Sequence, residues 1–367
     1  MKSTSDKTDK RVYVCHTYYH VLVSVLKEMT EGRAKGGEAV MLLSKMSNDF
    51  ETLSDRLKAS GLFKDVLDFD EKRETFFPEL AKYREDKGSI IPNMYNRILF
   101  TKKFAKLEEK YIPIDFREFN DIYVFCDSDP VGIYLNQHRI KYHAVEDGLN
   151  TLKPFVQAKY NDRGHFGIKK FFSMNLNLIF MCDGYSKYCI DMEVNDISVI
   201  DDDFYKYKEV PRKALLDSLS SEDKERLVRI FIKDTDALKA FVAKNNRDGI
   251  LILTEPLCTL DVREKIFRDL TAEYSKEGTV FLKPHPRDAL DYNKLFSEFW
   301  IFDRTIPMEL LGLFEGIRFK KVVGVYTHLD LIDFADEKIM LGDDFMDKYE
   351  DPSVHRKAEA VEKAFKK

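Results

Sequence analysis

Short apolar runs alternate with charged, amphipathic segments along most of this 367-residue chain, and this alternation limits the folds open to it. A short apolar run followed by an amphipathic segment predicts a buried strand and a helix that covers it. The alternation occurs in two successive series of unequal length. We therefore predict an α/β fold with two Rossmann-like lobes that face a central cleft.

Domain boundaries follow from where the alternation is interrupted. A charged helical insertion at 71–110 lies within the first series, and a charged helical bridge at 206–247 separates the two series. We therefore assign a first domain to 1–205 and a second domain to 248–367. The strands predicted in the first domain are Arg11–Cys15, Glu38–Leu43, Val66–Phe69, Asp121–Phe125, His143–Val145, Leu178–Met181 and Ile197–Ile200. Those predicted in the second are Gly249–Thr254, Thr279–Lys283, Trp300–Phe302, Lys321–Val325 and Lys338–Leu341, with helices at Leu329–Ala335 and Val354–Phe365 near its end.

Composition narrows the class of protein. Hydrophobic residues make up 44% of the chain and aromatic residues 13%, which is enough for two cores. The formal net charge of −5 argues against a general nucleic-acid binder. The five cysteines are scattered and form no C-x-x-C pair, so we expect reduced thiols and a cytoplasmic protein. The polar Met1–Lys10 segment is unlike a secretory leader, and no apolar run is long enough to span a bilayer.

One basic and aromatic segment, Lys169–Phe172, has two interpretations. Such a patch can attach a protein peripherally to a membrane, with aromatic rings at the lipid interface. Alternatively, it is the end of a helix whose aromatic face is buried in the protein. The sequence leaves both interpretations open, so a membrane surface stays among the expected partners.

The stretch Gly278–Asp288 is the leading functional candidate. Its apolar strand ends in Lys283-Pro284-His285-Pro286-Arg287, where two prolines fix the backbone on both sides of the histidine. Ligands commonly bind at the carboxyl ends of strands in open α/β sheets, and these cations suit a phosphate. The ordinary pKa of a histidine lies close to physiological pH, so His285 could protonate a departing phosphate oxygen. The alternative is a rigid turn with surface cations.

Two carboxylates follow a predicted strand of the first domain, in Glu146-Asp147-Gly148. Adjacent carboxylates raise each other's pKa, so one of them can act as a general base toward a hydroxyl. The alternative is a turn in which Asp147 caps a helix.

The pattern Asp127-Ser128-Asp129 is similar to the D-x-D pair that holds a metal in some glycosyltransferases. Pro130 favours instead a helix start with Asp129 as its cap.

Two further segments carry polar groups at strand ends. His16 and His20 are four residues apart, but the glutamate of H-E-x-x-H is missing, so we expect a substrate-facing loop that includes Thr17, or a partly buried histidine. Tyr326-Thr327-His328 is expected to open a helix, so that the Thr327 hydroxyl and the first N–H groups bind an anion or simply cap the helix. No Walker A, G-x-G-x-x-G or G-x-S-x-G motif is present.

Together these motifs resemble a family. An acidic pair before glycine (Glu146-Asp147-Gly148), a later His285-Pro286 and a hydroxyl residue after a following strand are similar to the motifs of bacterial sialyltransferases. The opening Val14–His20 and the full Lys283–Arg287 segment are most similar to glycosyltransferase family 52, which includes lipooligosaccharide and capsule sialyltransferases. The resemblance covers most of the chain in order. One departure is Tyr326, which stands where the family pattern expects serine.

The resemblance implies a GT-B enzyme that inverts the sugar, uses no metal or other cofactor, and takes CMP-sialic acid as its donor. The first domain would then hold a glycan acceptor, and the second the nucleotide sugar. Glu146 or Asp147 would be the base and His285 the acid or phosphate ligand, while Glu255 and Asp261 also qualify as the base. The residues implied on the donor side are Lys283, Pro286, Arg287, Tyr326, Thr327 and Glu255, and those implied on the acceptor side are His16, Thr17, His20 and Gly148.

We therefore predict a sialyltransferase-like enzyme that builds a surface polysaccharide or lipooligosaccharide in the bacterial cytoplasm. A homodimer is a further implication of the family. Within the same fold, the alternative is a transferase of another nucleotide sugar. In a different class, the alternative is a non-catalytic protein that binds a sugar nucleotide or a glycan.

Overall fold

The apolar runs of the sequence form two separate parallel sheets, one in each half of the chain. The computed structural model describes residues 9–50, 52–152, 155–244, 248–313, 318–327, 329 and 332–356. The chain divides into two compact units, Met1–Ile230 and Phe231–Lys367. Each unit holds one of the sheets together with helices, which confirms the predicted α/β class.

The first unit is built on a sheet of seven strands among the described residues. These are β1 (Lys10–Cys15), β2 (Glu38–Ser44), β3 (Asp65–Phe69), β4 (Asp121–Phe125), β5 (Tyr142–Val145), β6 (Cys189–Val194) and β7 (Tyr207–Glu209). They pair in parallel in the order β3-β2-β1-β4-β5-β6-β7. Parallel strands are covered on both faces, which explains why β1 and β4 read as nearly continuous apolar runs. The strand order reverses between β1 and β4.

The second unit has a smaller sheet, with five strands in the part of the chain that the structure describes. These are β8 (Ile250–Leu253), β9 (Val280–Lys283), β10 (Trp300–Ile301), β11 (Phe319–Gly324) and β12 (Ala335–Met340). They also pair in parallel, in the order β10-β9-β8-β11-β12. Here the order reverses between β8 and β11.

Helices connect the strands. They are α1 (Tyr18–Lys27), α2 (Arg33–Lys35), α3 (Leu53–Ser60), α4 (Ile90–Glu108), α5 (Pro130–Gln137), α6 (Gln157–Asn161), α7 (Phe166–Met174), α8 (Arg212–Asp217), α9 (Ser221–Phe231), α10 (Thr235–Lys244), α11 (Leu260–Tyr274), α12 (Tyr292–Leu295), α13 (Gly342–Met346) and α14 (Pro352–His355). A π-helical turn at Glu28–Gly32 extends α1. None of the helices in the described ranges is both long and apolar enough to cross a membrane.

Each unit has its own apolar core. In the first unit, Val12, Val124 and Ala144 from the sheet pack with Leu80 and Phe104 of the insertion, so the insertion is part of this core. In the second unit, the core is formed by sheet residues and by one face of α11. Its buried members include Ile252, Phe267, Leu270, Leu282 and Val323.

Two strands predicted in the first unit are wrong. Leu178–Met181 is a buried loop, and the next strand is β6, whose Asp191 and Glu193 interrupt the apolar run that marks the other strands. Glu193 is nonetheless buried because Lys27 pairs with it at 2.8 Å. Ile197–Ile200 forms a 3-10 turn at Ile197–Val199, since the Asp196 side chain accepts the N–H of Ser198 at 2.9 Å.

One helix predicted in the second unit is also wrong. Ile332–Phe334 is not helical, and Ala335 already belongs to β12. Within the predicted terminal helix, α14 ends at His355. His328, residues 330–331 and residues 357–367 lie outside the described residues.

Candidate active site

In both units the candidate residues follow strands that lie at the reversal of strand order or next to it. The chain leaves two neighbouring strands toward opposite sides of the sheet, so their carboxyl ends border an open crevice. In the first unit His16 directly follows β1, and Asp147 lies two residues after β5. In the second unit Glu255 follows β8, and Thr327 follows β11.

His20 and Asp147 are joined directly. Nε2 of His20 lies 2.6 Å from Oδ1 of Asp147 and 2.9 Å from its backbone oxygen. Nδ1 of His20 accepts the backbone N–H of His16 at 3.0 Å, so the neutral ring carries its proton on Nε2 and donates it to Asp147. Thr17 is the N-cap of α1, and its hydroxyl accepts the N–H of His20 at 3.2 Å. Capping at the start of α1 therefore places the imidazole against the carboxylate.

Packing and charge set the ionisation of this pair. The His20 ring is buried and stacks on Phe125, with ring centroids 4.5 Å apart. Burial lowers the pKa of His20, and the hydrogen bond to Asp147 only partly offsets this. Burial works to raise the pKa of Asp147, but the hydrogen bond and charge of His20, the hydrogen bond of Cys126 and the charge of His16 together outweigh it and bring the pKa to about 2. Asp147 is therefore a carboxylate at every physiological pH.

Glu146, the neighbour of Asp147, is turned into the protein. Its carboxylate accepts the backbone N–H groups of Leu152 at 3.1 Å and Asn195 at 2.8 Å, and burial raises its pKa. These bonds tie the loop after β5 to the loop after β6. The Asp147 side chain, in contrast, is 49% exposed. Of the two carboxylates that the motif left open, Asp147 is the one that a substrate can reach.

A second buried pair lies beside this site. Glu71 accepts hydrogen bonds from His16 Nε2 at 2.6 Å, Ser44 Oγ at 2.7 Å and the Val131 N–H at 2.9 Å. Burial disfavours the charged form of His16, but the Glu71 charge and hydrogen bond raise its pKa to about 9. His16 is therefore an imidazolium at neutral pH, paired with a carboxylate. Asp129 Oδ2 lies 3.6 Å from the same nitrogen.

A cavity of about 120 Å³ adjoins Asp147. Ser128, Thr151 and Gln157 line it with hydroxyl and amide groups, and Phe155 adds an aromatic side chain that is 42% exposed. Gly148 begins the turn that forms one wall, with its N–H donating to Thr151 Oγ1 at 3.4 Å. Polar groups beside an aromatic face suit a sugar, whose hydroxyls need both donors and acceptors.

Asp127 and Asp129 have separate structural roles. The Asp127 carboxylate is buried and accepts the N–H groups of Asp183 at 2.8 Å and Gly184 at 3.2 Å. Burial and the nearby Asp183 charge raise the pKa of Asp127 to about 7. Asp129 stands at the N-cap position of α5, which begins at Pro130 as expected, but its side chain makes no capping hydrogen bond. Within the described ranges, no group of three or more His, Cys, Asp or Glu is arranged to hold a metal ion.

In the second unit, the backbone after β9 holds His285 in one tautomer. The backbone N–H of His285 donates to Thr254 Oγ1 at 3.2 Å. The ring Nδ1 of His285 accepts the backbone N–H of Arg287 at 3.1 Å. The neutral ring therefore carries its proton on Nε2, the atom left for a ligand. Burial, followed by the charges of Arg287 and Lys283, lowers the pKa of His285. Without ligand, His285 is a neutral hydrogen-bond donor at neutral pH.

Asp288 anchors the His285 loop. Its carboxylate accepts from Arg263 Nη1 at 2.6 Å, the Tyr292 hydroxyl at 2.8 Å and the Thr254 hydroxyl at 3.3 Å. Its own N–H donates to the carbonyl of His285 at 2.9 Å and closes the turn. Asp288 therefore links α11, α12 and the end of β8 to the backbone that carries the imidazole.

The two cationic side chains near His285, Lys283 and Arg287, differ in their exposure to solvent. The Lys283 side chain is buried, and its Nζ donates to the carbonyls of Pro284 at 2.9 Å and Arg304 at 3.1 Å. Burial lowers its pKa to about 8. Pro286 and Arg287 are exposed in the turn. Arg287, rather than Lys283, is the cation that this segment presents to solvent.

The Glu255 carboxylate accepts hydrogen bonds from the backbone N–H groups directly after β11. One of its oxygens accepts from the N–H groups of Val325 at 3.1 Å, Tyr326 at 2.9 Å and Thr327 at 2.8 Å. The same oxygen accepts the Thr327 hydroxyl at 2.7 Å. The anion held by this loop is therefore the protein's own carboxylate. The Tyr326 hydroxyl donates to Asp343 at 2.7 Å.

No local sequence pattern marks Glu71, Asp288 or Arg263 as site residues. Glu71 lies two residues beyond β3, so the sequence could have placed it at the carboxyl edge of the sheet. That it pairs with His16 could not be predicted from the sequence. Asp288 is the last residue of the Gly278–Asp288 stretch, and nothing in that stretch assigns it a role. Arg263 lies in α11 with no local pattern that marks it.

Comparison with solved structures shows that this two-sheet arrangement is known from GT-B proteins. An α/β-galactoside α-2,3-sialyltransferase from Photobacterium phosphoreum is similar with a TM-score of 0.53 and 11% identity, over 91% of this chain and 90% of that chain. A 2,6-sialyltransferase from Photobacterium sp. JT-ISH-224, solved with CMP and lactose, is similar with a TM-score of 0.54 and 10% identity, over 91% of this chain and 71% of that one. At these identities the likeness establishes the fold.

Sequence comparison identifies the family. An uncharacterized protein from Haemophilus influenzae is 31% identical over 85 residues, which covers 22% of this chain and 27% of that protein. The model of glycosyltransferase family 52 matches residues 39–341, a span that contains Asp147, Glu255 and His285. With the motifs, the two parallel sheets and this match in agreement, the chain is a glycosyltransferase of the GT-B fold and belongs to glycosyltransferase family 52.

Proposed function

We propose that this glycosyltransferase moves sialic acid from CMP-sialic acid to a glycan hydroxyl, with inversion and without a metal ion, in the synthesis of a surface polysaccharide or lipooligosaccharide. The observation that carries the proposal is the Asp147 carboxylate. This carboxylate is oriented by His20 and is half exposed. It lies beside a cavity whose hydroxyl and amide side chains can form hydrogen bonds with sugar hydroxyls. Structures of the same fold are sialyltransferases, and one of them was solved with CMP and lactose.

Asp147 would act as the general base. One carboxylate oxygen accepts from His20 and the carboxylate also bonds to the Cys126 thiol, so the acceptor hydroxyl would approach its exposed side. The hydroxyl oxygen forms a bond to the anomeric carbon as the bond from that carbon to the CMP oxygen breaks, and the hydroxyl proton passes to Asp147. A carboxylate with a pKa of about 2 takes this proton only once the attacking oxygen has become acidic through bond formation.

His285 would stabilise the leaving group. CMP departs with one more negative charge on its phosphate than it carries in the donor, so a donor at the phosphate is worth more in the transition state than in the ground state. The Nε2 proton of His285 is suited to this role, because Nδ1 is already engaged by the Arg287 N–H. Arg287 would add a charge that favours the phosphate.

The remaining donor-side residues would act through the backbone. Lys283 and Pro286 hold the turn on either side of His285, and Lys283 uses its ammonium group on two carbonyls. Tyr326 and Thr327 can reach a phosphate only if Glu255 leaves their N–H groups. We therefore assign Glu255 to the ordering of this loop.

The experiment is to measure CMP release and product formation with CMP-sialic acid as donor and lactose as acceptor. We expect turnover, an inverted anomeric configuration in the product by NMR, and the same rate in the presence of EDTA. The Asp147→Asn variant should lose roughly two to four orders of magnitude in kcat. Asp203→Asn, at an exposed aspartate of the same unit, is the matched control and should keep the wild-type rate.

Other outcomes identify the alternatives. Turnover with a uridine or guanosine diphosphate sugar but not with CMP-sialic acid would overturn the donor assignment. Binding of CMP by calorimetry, without turnover of any donor in the panel, would favour a binding protein. Loss of activity with EDTA, restored by a divalent metal, would overturn metal independence.

A further inference from the structure

Three carboxylates line the cavity beside Asp147, and two of them have no part in the proposed transfer. They are Asp127, Asp147 and Asp183, and every other described residue that lines the cavity is uncharged. Asp127 and Asp183 are buried, whereas the Asp147 side chain is half exposed. The inner wall of the cavity is therefore acidic, and no described lining residue supplies a positive charge.

Backbone N–H groups hold the two buried carboxylates. Asp127 accepts the N–H groups of Asp183 at 2.8 Å and Gly184 at 3.2 Å. Asp183 accepts the N–H of Ala158, in the first turn of α6, at 2.8 Å. An N–H group is a dipole without net charge, so it favours the charged form of a carboxylate without cancelling that charge. The backbone therefore fixes the acidic groups in the wall.

The nearby basic groups do not neutralise the cavity. The buried ammonium group of Lys206 interacts electrostatically with Asp127. Its Nζ donates to three backbone carbonyls, those of Cys189 at 2.6 Å, Ser186 at 2.8 Å and Gly184 at 3.1 Å. Near Asp147, the imidazolium of His16 is paired with Glu71, so that pair adds no net charge. Counting Lys206 against one carboxylate still leaves the cavity with a net negative charge.

The three carboxylates are ionised together at slightly alkaline pH. Asp147, with a pKa of about 2, is a carboxylate throughout. Burial is the main cause that raises the pKa of Asp127 to about 7 and that of Asp183 to about 6. At about pH 8 all three side chains are therefore mostly charged.

We propose that Asp127 and Asp183 are specificity-determining residues, which restrict the acceptor to a sugar without negative charge and so end the reaction after one transfer. The inference rests on the proposed function, since it takes this cavity as the place of the acceptor sugar. An anionic sugar would bring a like charge against these carboxylates, where the protein screens charge less than water does.

The proposal places the enzyme in a reaction sequence. The transferred sialic acid carries a carboxylate, so the product ends in an anionic sugar that the acidic wall repels. The reaction before this one must therefore supply a glycan whose end carries neither carboxylate nor phosphate. The product must pass to a step other than a second transfer at the same cavity.

The experiment compares three acceptors at about pH 8: lactose, lactose oxidised to a carboxylate at C6 of its galactose, and lactose with an amino group at that carbon. The two derivatives differ little in size but carry opposite charges. We expect kcat/KM for the carboxylate to be at least about 100-fold below that for lactose, and kcat/KM for the amine to stay within about tenfold of it. Mass spectrometry should find one sialic acid on each product after prolonged reaction.

Two variants test the residues, with the ratio of kcat/KM for the carboxylate to that for lactose as the readout. Asp183→Asn removes one charge and keeps an oxygen for the Ala158 N–H, so the ratio should rise about tenfold. Gln157→Lys adds a cation at an exposed lining residue and should raise the ratio by a similar factor. The matched controls are Asp201→Asn and Asn161→Lys, at exposed positions outside the described lining, and should keep the wild-type ratio. Thermal melting checks that each variant is folded.

Several results would overturn the proposal. Equal kcat/KM for lactose and the carboxylate, or a second sialic acid on the product, would contradict the charge filter. Equal rejection of the amine and the carboxylate would assign the selection to shape. An unchanged ratio in both Asp183→Asn and Gln157→Lys would remove the role of the acidic wall.

Failure of the proposed function gives a different result. If no donor is turned over, calorimetric binding of the three sugars decides the inference by itself. Tighter binding of the neutral and cationic sugars than of the anionic one would support the acidic wall as a filter, while only the transfer reaction would be contradicted. Equal binding of all three would overturn the inference as well.

Discussion

The imidazole of His20 donates to Asp147 Oδ1 at 2.6 Å, while its other nitrogen accepts the N–H of His16 at 3.0 Å. The ring is therefore fixed from both sides and cannot rotate without losing a hydrogen bond. Its stacking on Phe125 adds a third constraint. His20 thus acts on the reaction through Asp147, as a positioning residue.

Replacing His20 by phenylalanine keeps a ring against Phe125 but removes both nitrogens. We expect kcat to fall by about 10- to 100-fold with a smaller change in KM, because the carboxylate loses its orientation. Without the hydrogen bond, the pKa of Asp147 should rise from about 2, so the acidic limb of the pH–rate profile should move to higher pH. An unchanged acidic limb would contradict the positioning role.

The His16–Glu71 pair predicts a pH dependence of stability. The pKa of His16 is raised from its ordinary 6.5 to about 9 in the folded protein. A raised pKa means that this stabilisation is complete below pH 6.5 and is lost as the pH rises through about 9. We expect the free energy of unfolding from urea titrations to fall by roughly 2 to 3 kcal/mol over that interval.

The control for this prediction is Glu71→Gln, which keeps the shape of the side chain but removes its charge. Its folded state should be less stable at pH 6.5 by roughly 3 to 5 kcal/mol, since the buried imidazolium loses its partner. The dependence on pH between 6.5 and 9 should largely disappear in this variant. A variant with the full wild-type dependence would show that another group titrates.

His285→Ala should abolish most transfer without unfolding the protein. The imidazole is partly exposed, and among the described residues its ring accepts a hydrogen bond from the Arg287 N–H alone, so its loss removes few contacts. We expect kcat/KM to fall by roughly 10²- to 10³-fold, with the melting temperature nearly unchanged. Wild-type turnover in this variant would contradict the role of His285 in stabilising the leaving phosphate. Lys294→Ala, in α12 of the same unit, serves as a control for surface charge.

Thr327→Val tests whether the hydroxyl is a phosphate ligand. Its hydroxyl donates to Glu255 at 2.7 Å, so we expect a loss of about 1 kcal/mol in stability and less than about a threefold change in the Kd of CMP by calorimetry. The comparison variant is Glu255→Gln, which should disturb all the bonds of this loop and destabilise the protein more. A large loss of CMP affinity in Thr327→Val would mean that the loop releases Glu255 when the nucleotide binds.

Much of the fold was predictable because strand signals are local. Continuous apolar runs such as Val12–Cys15 and Ile250–Leu253 mark parallel strands buried on both faces, and both were located from sequence. β6 was missed for the opposite reason. It carries Glu193 in its interior, and that charge is tolerated because Lys27 from α1 and Lys208 from β7 both pair with it.

The sequence by itself determined the α/β class and placed Asp147 and His285 at strand ends, since those properties depend on neighbouring residues. Which side chains meet was decided by the tertiary structure. His20 and Asp147 are 127 residues apart, Glu255 and Thr327 are 72 apart, and His16 and Glu71 are 55 apart. Hydrogen bonds and burial between such distant residues follow from the pairing order of the strands, which is why only the folded chain distinguishes the exposed Asp147 from the buried Glu146.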